Sequence, residues 1–241
     1  PSPFAGIRSA AMFPAARRGN VNQSRQLRTL QHALGAGGAS AGPRQRRDLE
    51  LGNRKVFPSA RCSPIMDQQR PFQRTLLSWY AHNKRSLPWR RTHDPYKILV
   101  SEVMLQQTQV DRVKGHYARF LKAFPTAQKL ARAKPAKVLK LWSGLGYNRR
   151  ALLLQRTAQA IMRRGGEFPR TQHELQALPG IGPYTAGAIL AFAFNRDVVL
   201  ADTNVVRVIE RFFFGTRRQE FSTLWKKLGN LLPSGNARNW Y

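Results

Sequence analysis

The sequence predicts an all-α fold. Apolar residues recur at three-to-four spacing along almost everything after residue 65, no segment sustains strand alternation, and short Pro/Gly turns separate the periodic stretches. The first helix is expected over Arg70 to Asn83, where Phe72, Leu76, Leu77, Tyr80 and Ala81 share one face. Leu87-Pro88-Trp89-Arg90 breaks it. Asp94-Pro95 reads as an N-cap followed by proline at the first helical position. One long helix is then expected from Tyr96 to about Phe124. Further helical patterns follow at Thr126–Ala133, Pro135–Trp142, Asn148–Arg164, Thr171–Leu178, Tyr184–Phe194, Thr203–Phe213 and Phe221–Leu232. Trp89, Trp142, Trp225 and Trp240 are expected in the core or between lobes.

Composition narrows the function classes. The chain has 241 residues, long enough for one domain or two small lobes with a real core. Its formal net charge is +29, from 41 Lys+Arg against 12 Asp+Glu. That excess favours a polyanion: nucleic acid first, an acidic membrane surface second. The longest apolar run falls well short of the ~20 residues of a spanning helix, so a soluble protein with no membrane partner is expected. Cys62 is the only cysteine, which excludes an intrachain disulfide and a cysteine-ligated metal cluster within this chain. No metal site is expected.

Residues 1–65 differ from the rest. They are rich in Ala, Gly, Ser, Pro and Arg, nearly free of acids, and without sustained periodicity. Such a stretch buries too little apolar surface to offset its ordering entropy, so a disordered basic extension is expected. Its Arg-rich, acid-poor character also fits an organelle transit peptide, although Gly and Pro spoil a continuous amphipathic helix.

The stretch Leu178 to Asn204, LPGIGPYTAGAILAFAFNRDVVLADTN, organises the remainder. Gly180 and Gly182 flank Ile181 in a tight turn, and an apolar run from Ala186 to Phe194 follows. A helix, a glycine turn and a second helix make a hairpin whose second N-terminus presents unpaired N–H groups and partial positive charge, suited to a phosphate. Asp202 stands just before the next helix, as a carboxylate placed for chemistry or simply as its N-cap. Glu102 lies in Ile98-Leu99-Val100-Ser101-Glu102-Val103-Met104-Leu105, with no Lys or Arg three or four residues away. An acid pressed against apolar surface has its pKa raised, as a general acid near neutral pH requires. The other reading points Glu102 to water or pairs it with a distant Arg.

LPGIGPYTAGAI resembles the helix-hairpin-helix of the endonuclease III superfamily of DNA glycosylases. Ser101 to Val110, SEVMLQQTQV, and Leu141 to Ala151, LWSGLGYNRRA, resemble the adenine DNA glycosylase (MutY) family. The resemblance covers Met66 to Tyr241 and implies a two-lobed helical glycosylase with a cleft between its lobes. One lobe would span residues 87–196 and contain the hairpin, and the other would join residues 66–86 to 197–241. It implies that Glu102 protonates adenine and that Asp202 is the second catalytic carboxylate, ionised and facing the sugar. Tyr184 occupies the slot where the lyase branch keeps an amine nucleophile. A tyrosine forms no Schiff base, so base hydrolysis without strand cleavage is implied, the plainer reading being a packing aromatic.

Further roles come by the same route. Gln106, Gln107 and Thr108 would form a polar tip on the long helix, with Gln107 wedged into the base stack and Tyr147 beside the opposite, oxidised guanine. Gly180, Ile181 and Gly182 would cradle a DNA phosphate. Independently of the resemblance, Arg149, Arg150, Lys114, Lys137 and Lys140 are candidate phosphate contacts by charge, each of them taken alone reading better as a solvated surface charge. The chain departs from the family at Asn148, where a second tyrosine is usual, and at Thr203, where glycine is more common. The family continues into four cysteines that bind an iron–sulfur cluster; this chain cannot ligate one, so a [4Fe–4S] cluster is implied only for a longer parent. The implied partner is double-stranded DNA with a mismatched or oxidised pair, met by a monomer inside the cell. Two alternatives stand: a thymine/uracil mismatch glycosylase, and an inactive helix-hairpin-helix DNA-binding module.

Overall fold

A computed structural model describes residues 68–215 and 218–241; the extension expected over residues 1–65 lies outside them. Among the described residues there are helices and turns and no strands. The helices are α1 (Gln69–Asn83), α2 (Pro95–Leu105), α3 (Val110–Ala123), α4 (Ala127–Ala131), α5 (Pro135–Trp142), α6 (Arg149–Arg163), α7 (Gln172–Gln176), α8 (Pro183–Phe194), α9 (Thr203–Phe213), α10 (Phe221–Leu231) and α11 (Ala237–Trp240). A 3-10 turn, Pro88–Arg90, follows α1. No helix among them is long and apolar enough to cross a membrane.

Local signals set most boundaries. Asp94 caps α2, its carboxylate accepting from Tyr96 N at 2.9 Å with Pro95 behind it. Thr126 caps α4 by accepting from Lys129 N. Thr171 and Glu174 form a reciprocal pair at the start of α7. Asn195 ends α8 in the left-handed conformation, φ 50°.

The one long helix expected from Tyr96 to Phe124 is two. α2 stops at Leu105, residues 106–109 form a turn, and α3 begins at Val110. The turn contains neither Gly nor Pro, so apolar periodicity runs straight through it. The break comes from Gln107, at φ 55°, and from a guanidinium described below that takes the last carbonyls of α2.

Apolar burial is gathered in two principal clusters. The larger draws on residues from Leu87 to Leu190, including Phe120, Trp142, Leu154 and Ile161. Phe120 meets Phe124 and Trp142 edge-on at 5.0 and 5.9 Å between centroids. α2 is buried nearly all round and packs against α8, which is apolar on every face. The smaller cluster joins α1 to the C-terminal helices: Phe72 packs against Phe212, Phe213 and Trp240. Arg238 ties α11 to the segment between the 3-10 turn and α2, donating to Arg90 O and Thr92 O, each at 2.8 Å. Trp89, Trp142 and Trp240 are buried as expected, but Trp225 is 40% exposed, on the outer face of α10 beside Phe221. Helical spacing shows which residues share a face with Trp225; it does not say whether that face meets anything.

Candidate active site

The hairpin brings three groups towards one place. α7 leads through Leu178–Gly182 into α8, and Gly180 takes φ +78°. Thr157 Oγ1 donates to Pro179 O, and Gln172 Nε2 donates to Pro183 O at 2.9 Å, fixing both sides of the turn. Ile181 is buried, so its side chain is core and only backbone is offered outward. A Cβ on Gly182 would meet nothing within 4 Å. Proline at the first position of α8 leaves Tyr184 and Thr185 as first-turn donors without an intrahelical acceptor. A Cβ on Gly180 would lie 2.9 Å from Leu153 Cβ. Gly180→Ala therefore combines a left-handed backbone with a clash at a side-chain root. It is expected to lower stability by about 2–4 kcal/mol; a denaturation midpoint equal to wild type would contradict this packing.

Tyr184 is the second residue of α8. Its phenol pKa is pushed well up, by burial first and then by the charges of Glu102 and Asp202. Because the side chain is 41% exposed, the coupling to two acids is the more informative cause: it places both carboxylates within electrostatic reach of one hydroxyl. Glu102, on α2, lies between buried Ser101 and Val103. Its carboxyl is pushed up to about 7, by desolvation first and by Asp202 second. No cation pairs with Glu102 among the described residues, which disfavours the reading that couples it to a distant Arg. Asp202 is the N-cap of α9, accepting from Val205 N at 2.7 Å. Asn204 Nδ2 donates to its other oxygen at 3.3 Å. A protonatable acid, a capped carboxylate and a phenol thus act on one another, although they belong to three separate helices.

The remaining candidates form a second group. Gln106, Gln107 and Thr108 lie in the α2–α3 turn, not on a helix tip. Tyr147 is 66% exposed and, like Gln107, adopts a left-handed backbone, φ 49°. Between them is an open hollow of about 950 Å³, lined by Gln107, Thr108, Leu145, Tyr147 and Asn148 among others. Arg150 is not a free phosphate contact. Its guanidinium is spent on backbone carbonyls of both turns and lies over two aromatic rings at cation–π range. Lys114 is engaged locally with Asp111 at 2.9 Å, while Arg149, Lys137 and Lys140 stay exposed.

Among the described residues no group of three or more His, Cys, Asp or Glu is placed to hold a metal ion. With one cysteine in 241 residues, the chain does not fit a four-cysteine iron–sulfur cluster.

Residues 100–233 match the HhH-GPD superfamily of base excision DNA repair proteins. The chain belongs to that superfamily. Its curated relatives include several adenine DNA glycosylases. It is 40% identical over 166 residues to the adenine DNA glycosylase of Buchnera aphidicola subsp. Baizongia pistaciae, covering 67% of this chain and 47% of the relative. It is 45% identical over 178 residues to that of Rattus norvegicus, covering 70% and 34%. The chain therefore spans about half the length, or less, of these relatives. Among solved structures it is similar to a thermostable thymine-DNA glycosylase, with TM-score 0.69, 30% identity, and coverage of 74% of this chain and 84% of that one. The all-α superfamily fold expected from the sequence is thus the one found.

Proposed function

We propose that the chain is a monofunctional DNA glycosylase that hydrolyses the N-glycosidic bond of adenine mispaired with oxidised guanine or guanine. The observation that carries this reading is Glu102: a carboxyl pushed up to about 7 and coupled to Asp202. Two acids held in unlike environments divide the labour of glycosidic cleavage. Glu102 gives its proton to a ring nitrogen of the flipped adenine. The bond from that base to C1′ breaks, and its electron pair leaves with the base. The carboxylate of Asp202 faces the cationic sugar. Water then adds to C1′ and returns a proton to Glu102, leaving an abasic site. Tyr184 brings a hydroxyl to the same place and no amine, so no covalent sugar adduct forms. The backbone at Gly180 to Gly182 binds a phosphate, and the net charge of +29 supplies the attraction to duplex DNA.

A thymine/uracil mismatch glycosylase is the second reading, favoured by the likeness to the thymine-DNA glycosylase structure. Duplexes carrying adenine opposite oxidised guanine, and thymine or uracil opposite guanine, separate the two. Free adenine is the expected product. Release of thymine or uracil alone would replace the first reading with the second. Duplex binding with no base released would leave a helix-hairpin-helix module. Borohydride is expected to trap no enzyme–DNA adduct.

A further inference from the structure

We propose that Arg150 is a positioning residue that locks Gln107 and Tyr147 into one rigid two-pronged wedge; this rests on the base-flipping reading above. The guanidinium lies between two turns that are remote in sequence. On one side it donates to Val103 O at 2.8 Å, Met104 O at 3.2 Å, Gln106 O and Thr108 Oγ1 at 3.2 Å. On the other it donates to Leu145 O at 3.1 Å and Gly146 O at 3.2 Å. Its Cζ lies over the rings of Trp142 and Tyr147, 5.5 and 5.6 Å from the centroids, within cation–π range, and the Trp142 indole donates to Gly146 O at 3.1 Å.

Each turn carries one non-glycine residue in the sparsely populated left-handed region, and these are Gln107, the expected wedge, and Tyr147, expected beside the opposite base. Such conformations persist only where the surroundings over-determine them. Arg150 supplies that constraint to both turns from one group. Its acceptors at the end of α2 are carbonyls that a helix C-terminus leaves unpaired, where a cation is favoured. The two terminal nitrogens of a planar fork reach both sides at once, Nη1 towards the end of α2 and Nη2 towards Leu145 and Gly146, whereas an ammonium is a single point charge. A duplex therefore meets Gln107 and Tyr147 at a fixed separation, and the ordering of these turns is complete before DNA arrives.

The test uses the full chain and duplexes with 2-aminopurine opposite oxidised guanine, where a fluorescence rise reports unstacking of the target base. Arg150→Ala is expected to cut the rise at least tenfold while affinity for a fully matched duplex stays within threefold. Arg150→Lys keeps the charge and most of the stem, and is expected to lose at least fivefold. A wild-type rise in the lysine variant, or matched-duplex affinity falling in step with the rise, would overturn the proposal. A cycle with Arg150 intact guards against variants that fail to fold. If the prongs act as one body, Gln107→Ala and Tyr147→Ala together lose little more than the worse single change, whereas losses that multiply would overturn it. Wild-type chain that raises no fluorescence on any mismatch, yet binds matched duplex, sinks the base-flipping reading and this inference with it. Variants indistinguishable from an active wild type sink this inference alone.

Discussion

Glu102→Gln is expected to reduce adenine release by about 10²–10⁴-fold and, at the same time, to make the chain harder to unfold above pH 7. Both effects come from the same carboxyl. Glutamine keeps the shape and loses the transferable proton, so chemistry stops while duplex binding, which depends on phosphates, persists. The stability gain follows from linkage. The folded-state pKa is raised from 4.5 to about 7, so the folded chain binds this proton more tightly than the unfolded one. The native state is favoured below the lower value, loses that advantage as pH rises between the two, and above pH 7 bears a cost on the order of 3 kcal/mol. Glutamine never ionises and escapes it. Melts of wild type and variant should converge near pH 4.5 and separate by several degrees at pH 8, the variant higher. Wild-type single-turnover release should fall as pH rises through about 7. Coincident melts at pH 8, or a rate flat from pH 6 to 9, would show that Glu102 is not the sheltered acid described.

Asp202→Asn separates charge from shape at the second acid. Asparagine is as good an N-cap as aspartate, so α9 keeps its first turn and stability should change little. What goes is the negative charge at that position, which the proposed reaction sets against the sugar. The expected loss in release is about 10²–10³-fold, the scale of one electrostatic stabiliser at a developing charge. A second consequence ties the two acids together. The Asp202 charge is one of the causes that raise Glu102. Without it the Glu102 pKa falls, and the decline in rate with pH begins at lower pH than in wild type. Asp202→Ala should add a stability loss of about 1 kcal/mol through the lost cap. An asparagine variant with an unshifted pH profile would mean that the two groups do not sense each other.

The course of the chain was largely legible because its punctuation is local. Asp94-Pro95, Thr126 and Thr171 are capping signals whose effect spans three or four residues, and the structure places helix starts at each. The break at Gln106–Gln109 was not legible, because its cause is Arg150, more than forty residues away. The same distance hid the role of Arg150: a surface arginine near a glycine loop reads as a phosphate contact unless its carbonyl partners are known.

The sequence alone determined that this protein is helical, basic, built on a glycine hairpin, and equipped with one acid in an apolar helix and another at a helix start. These properties live in periodicity, composition and short-range capping. Only the tertiary structure decided that Glu102, Asp202 and Tyr184 act on one another and that Gln107 and Tyr147 share one clamp. Hydrogen bonding and electrostatic coupling depend on distance in space, over roughly 3 and 10 Å, and neighbours at that range are set by how α2, α6, α8 and α9 pack, not by their order along the chain.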